Sequence, residues 1–130
     1  MFFKKNKKKE TSSMANGEDT RKLDKRELID EAEDLINTID SVSGDERIKV
    51  LNRIGSLYFE ANKIDDAIKY YEISISENKS LGKAYTELVK LYNIKRKEAI
   101  SKKDDESMKQ YMEKIDRLLQ LSKDVIRGRG

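Results

Sequence analysis

A chain of 130 residues is the size of one domain. With 41% charged and 36% hydrophobic residues, it suits thin helical layers around a narrow seam better than a thick core. It has no Pro, Cys, His or Trp and a formal net charge of +3, which excludes disulfides, thiolate and imidazole metal sites and the commonest general base, so a non-enzymatic role is expected.

The first segment, residues 1–20, joins a lysine run (Lys4, Lys5, Lys7, Lys8, Lys9) to the small, polar stretch TSSMANGED. Its composition is that of a disordered basic tail. Seven basic residues against three acids lie between Met1 and Lys22, so the positive charge belongs to this tail and the remainder is nearly neutral. The order of Phe and Lys in MFFKKNKKKE is wrong for a secretory signal. No stretch approaches the roughly 20 apolar residues that span a bilayer. A cytoplasmic location is therefore expected.

Residues 21–127 show apolar positions at helical spacing and divide into five predicted helices. The first runs from near Leu23 to Ile39, with Leu28, Ala32, Leu35, Ile36 and Ile39 as its stripe. Gly44 then breaks the chain, and Asp45 is the expected N-cap of a second helix that reaches Ala61 on the stripe Ile48, Leu51, Ile54, Leu57 and Tyr58. A third follows from Asp65 to Glu77, with Ala67, Ile68, Tyr71 and Ile75 inward, and the short link predicts a hairpin with the second. The fourth starts near Leu81, passes Ala84, Tyr85, Leu88, Leu91 and Tyr92, and extends as far as Ile100. The fifth begins after a cap at Asp104 or Asp105 and runs to Ile126 on Met108, Tyr111, Met112, Ile115, Leu118, Leu119 and Val125. Its run YMEKIDRLLQLSKDVI has enough apolar residues to cover one neighbour and leave some exposed, so a homo-oligomer or a constitutive complex is expected.

Residues 48–81 show the pattern of a 34-residue repeat: Leu51, Ile54-Gly55 and Tyr58 on one helix, then Ala67, Tyr71 and Ser74 on the next. Gly55 and Ala67 are small enough for close helix approach, while the aromatic rings fill the space around it. Asn62 sits in the turn, at a place suited to left-handed backbone. This segment resembles a tetratricopeptide repeat, departing from it at Lys79, where Pro is usual, and at Ser74, where Ala is usual. A degenerate second repeat, residues 82–122, keeps Ala84, Tyr85, Leu88 and Tyr92, has Val89 in place of Gly, and brings its second helix (Ser107, Tyr111, Ile115) about six residues late. The first helix would be the second half of a preceding unit or a cap. The resemblance implies an all-α fold of antiparallel hairpins stacked in a short right-handed superhelix. It also implies an adaptor or scaffold role, with a concave groove that binds a protein or peptide partner.

Under that resemblance, the groove positions are Lys49, Asn52, Arg53, Ser56 and Glu60 on the second helix and Lys83, Thr86, Glu87 and Lys90 on the fourth. Their basic and amide groups suit an acidic or C-terminal peptide. Carboxylate-clamp members of the family, which hold chaperone tails, carry Lys where this chain has Asn52, so a chaperone tail is not implied. The alternative is a regulatory protein that uses the basic tail, with Phe2 and Phe3, to touch an anionic membrane surface or, less in keeping with the neutral helices, nucleic acid. No cofactor or metal is expected. Asp104, Asp105 and Glu106 lack the spaced ligands and the Gly of a calcium loop, and the closing RGRG neither follows a strand nor opens a helix. The charges from Lys95 to Glu106 read as a solvated, partly salt-bridged loop.

Overall fold

A computed structural model describes residues 24–128, and all regular structure among them is helical. The elements are α1 (Lys25–Thr38), a 3-10 turn (Ile39–Ser41), α2 (Gly44–Glu60), α3 (Ile64–Glu77), α4 (Lys83–Ser101) and α5 (Asp105–Ile126). The basic tail lies outside the described residues.

Local sequence sets most of the helix ends. Asp24 caps α1 in a reciprocal box: its carboxylate accepts from the Glu27 N–H at 2.9 Å, and the Asp24 N–H donates to Glu27 Oε1 at 3.0 Å. At α2, the expected cap at Asp45 is displaced. Gly44, at φ +60°, turns the chain into the helix two residues early, Ser43 takes the cap position without a side-chain bond, and Asp45 and Glu46 fall in the first turn. Acids there still favour the positive end of the helix dipole. Asn62, with φ +62°, makes the tight α2–α3 link in left-handed backbone. Leu81 does not join α4. The chain bends at Ser80–Gly82, the helix begins at Lys83, and the Leu81 side chain stays exposed. Asp104 caps α5 by accepting from the Ser107 N–H at 3.1 Å and from its hydroxyl at 2.8 Å. The expected loop before it is a short turn that uses Lys103 at φ +58°.

The main packing is between helices consecutive in the chain: α1 on α2, α2 on α3, α3 on α4 and α4 on α5. Paired residues run in opposite numerical order in the first three cases, and the three-residue link Lys102–Asp104 turns α5 back along α4, so neighbours are antiparallel. Arg53 meets Glu31 while Arg47 reaches Ile39; Arg47 meets Glu77 while Asn52 meets Ser74; Lys95 meets Asp65 while Tyr92 meets Glu72. One apolar core threads the stack, from Leu28 and Ala32 through Ile54, Leu57, Ala67 and Tyr71 to Leu88, Leu91 and Leu118. Leu51, Ile54, Leu57, Tyr71, Leu88 and Leu91 are fully buried, each contributing about 1.5–3 kcal/mol in area terms.

Two of the expected inward positions on α5, Met112 and Leu119, are instead exposed. The helix has a neighbour on one side only, so Leu118 is buried, Tyr111 and Ile115 pack against the core, and the next strip round the helix faces outward. The expected Ile100 end of α4 is likewise exposed.

Candidate functional site

A close helix contact between α2 and α3 underlies the site. A Cβ added to Gly55 of α2 would lie 2.8 Å from Tyr71 Cε2 of α3, so only glycine admits the ring at this distance. Tyr71 is completely buried there, and among the described residues its hydroxyl has no partner at hydrogen-bonding geometry. Burial is the main reason its pKa is pushed up to about 12; the carboxylates of Glu87 and Glu60 add to the rise and Ser56 opposes it. A second interhelix tie fixes the rotation of α2: Ser74 Oγ donates to Asn52 Oδ1 at 2.7 Å. Thus one of the groove amides is held from behind by α3.

On the outer side of this contact, five of the nine sequence-derived positions come together. Lys49, Asn52, Arg53 and Ser56 of α2 and Lys83 of α4 line an open depression of about 310 Å³. Lys49 and Lys83 make no ion pair among the described residues. Arg53 is shared with α1, its Nη2 standing 3.0 Å from Glu31 Oε2. The other four positions do not line the depression. Lys90 is paired to Glu87 at 3.1 Å, the Thr86 hydroxyl donates to the Gly82 carbonyl at 3.2 Å, and Glu60 is exposed at the far end of α2. The depression therefore combines two ammonium groups without an ion pair among the described residues, one shared guanidinium, an amide and a hydroxyl, a set that can donate hydrogen bonds to an anion.

Of two further polar clusters, the first was not foreseen from sequence and the second only as a partly salt-bridged run, which the structure places at the end of α4 instead of in a loop. On the opposite side of α3, Glu72 accepts from the Tyr92 hydroxyl and lies 3.0 Å from Lys114 Nζ, which joins α3, α4 and α5. Burial first, and then the bond to Glu72, raises the Tyr92 pKa, so this hydroxyl stays protonated as a donor. Near the α4–α5 turn, Lys95 bridges Asp65 at 3.1 Å and Glu98 at 3.0 Å; its bond to Glu98 raises its pKa and lowers that of Glu98. The hydrophobic period does not signal the ties to Glu72 and Asp65, because these depend on how the helices are rotated against one another, whereas Lys95–Glu98 is a local pair within α4.

Among the described residues, no group of acidic side chains is arranged to hold a metal ion, and no helix is long and apolar enough to cross a membrane. Comparison with known proteins finds no significant match to a family model, to a curated protein or to a solved structure.

Proposed function

We propose that this chain is a protein-interaction module without chemistry of its own, and that its α2–α4 face holds an extended acidic segment of a partner protein or the segment's C-terminal carboxylate. The observation that carries this reading is the convergence of Lys49, Asn52, Arg53, Ser56 and Lys83 on one open depression. A carboxylate can accept charge-assisted bonds from several of these donors at once. The depression is too open to enclose a small metabolite, which suits a peptide that lies across it and continues past its rim. The tetratricopeptide reading of the fold belongs to the same proposal. Its supports are antiparallel pairing in chain order, the Gly55–Tyr71 contact and the left-handed Asn62. In that arrangement α2 and α4 would share the concave side.

Exposed ion pairs contribute little singly, so affinity has to come from several contacts and to weaken with salt. The test is fluorescence anisotropy with labelled acidic peptides bearing free or amidated C-termini, on the full chain, a chain starting at Arg21, and Lys49→Glu/Lys83→Glu. The expected result is binding retained by the shortened chain and weakened about tenfold or more by the double substitution. Arg53 and Lys90 are poorer probes, since each already has a carboxylate partner. Undiminished binding by the double variant overturns the groove. Binding that disappears with residues 1–20 moves the function to the basic segment.

A further inference from the structure

A different surface lies on α5, apart from the α2–α4 depression. Met112, Leu119 and Ile126 of α5 are 49%, 49% and 76% exposed. They recur every seven residues, about two helical turns, so they fall on one line that drifts only about 20° per step. The line runs along most of a helix about 33 Å long. On its inner side are Tyr111, Ile115 and Leu118, which face the core; on its outer side are Glu113, Asp116, Lys123 and Arg127. These four charged residues make no ion pair among the described residues.

We propose that this edge of α5 docks a second copy of the chain, antiparallel, about a two-fold axis through Leu119. The order of charges is what selects that occupant. When two such helices run in opposite directions about Leu119, Met112 of each copy meets Ile126 of the other and the two Leu119 side chains meet on the axis. Like flanks then face each other, so Asp116 stands opposite Lys123 and Glu113 opposite Arg127, in both directions. These four charges of each copy find an opposite sign, while Lys109, on the same flank, falls past the end of the other copy's α5. Parallel docking would set the charged flank against the side already covered by α4, where no exchange of charges is available. An anionic membrane suits the strip poorly, because Glu113 and Asp116 border it.

The absence of Cys from the chain makes the register directly testable. Under mild oxidation of the full chain, Leu119→Cys is expected to cross-link to itself. Met112→Cys is expected to cross-link efficiently only when mixed with Ile126→Cys. By sedimentation, the unmodified chain is expected to be a dimer and Leu119→Glu a monomer of unchanged helix content. Asp116→Lys and Lys123→Asp should each weaken association about tenfold, and the double variant should restore it. A monomer at all concentrations, a dimer indifferent to Leu119→Glu, or charge exchange that fails to restore association overturns the proposal. So does Met112→Cys cross-linking to itself as readily as to Ile126→Cys. None of these readouts involves Lys49 or Lys83, so the groove and the dimer stand or fall separately.

Discussion

Gly55 and Tyr71 act as one feature seen from two sides. An alanine in the middle of a helix is ordinarily better than glycine by about 1 kcal/mol. At position 55, however, its methyl would meet a ring that is fully buried and has no room to retreat, and overpacking of that kind costs about 1–3 kcal/mol. Gly55→Ala is therefore expected to lower stability in urea denaturation despite the gain in helix propensity. Tyr71→Phe should do the reverse: it keeps the ring that fills the contact and removes a buried hydroxyl without a partner, a gain of about 1 kcal/mol. The glycine, the ring opposite it and the left-handed Asn62 were all legible in the sequence, because each is dictated by space or backbone conformation. The unpartnered hydroxyl was not legible, since nothing in residue spacing says where a phenol oxygen will end.

At the scale of elements, the five helices and most of their inward stripes follow from apolar period alone, and the departures have local causes. Gly44 moves the start of α2, the Ser80–Gly82 bend excludes Leu81, and the lack of an outer neighbour turns Met112 and Leu119 to the surface. The polar ties between helices lie beyond that reading and have a titration consequence. Glu77 of α3 is held below the usual carboxylate range chiefly by its hydrogen bond to Arg47 of α2, at 2.8 Å. The Ser107 N–H does the same for Asp104, as does Lys95 for Glu98. A carboxyl with a depressed pKa in the folded state stabilises the fold above its unfolded value and loses that contribution as pH falls through the folded value. The melting temperature is thus expected to be flat from pH 7 to about 5 and to fall below about 4. In Glu77→Gln that fall should be shallower, with a lower plateau at neutral pH; identical slopes would show that the Arg47–Glu77 pair does not contribute.

For the molecule as a whole, packing between consecutive helices means that stability is close to a sum of neighbour contacts. Helices α2, α3 and α4 each have two main neighbours, whereas α1 and α5 have one. Amide hydrogen exchange should accordingly be slowest around Leu57, Tyr71 and Leu88 and fastest in α1 and the distal half of α5, with uniform protection counting against this order. Only part of the candidate site was legible at this scale. The sequence places Lys49, Asn52, Arg53, Ser56 and Lys83 on two helix faces, and the rotation of α2 against α3 brings them together. The same sequence cannot say that Glu31 and Glu87 already occupy Arg53 and Lys90, because those pairings arise from the arrival of α1 and from rotamers on α4.

The neighbour-by-neighbour order of contacts also sets the order in which the molecule can be made. During synthesis, each helix from α2 onward leaves the ribosome with one of its packing neighbours already emerged, so no segment has to wait for a distant stretch of chain. Among the described helices, α5 is the last to arrive. Its outer strip of Met112, Leu119 and Ile126 is an apolar surface that the other described helices leave uncovered, and under the docking proposed above its burial would be the final step of folding.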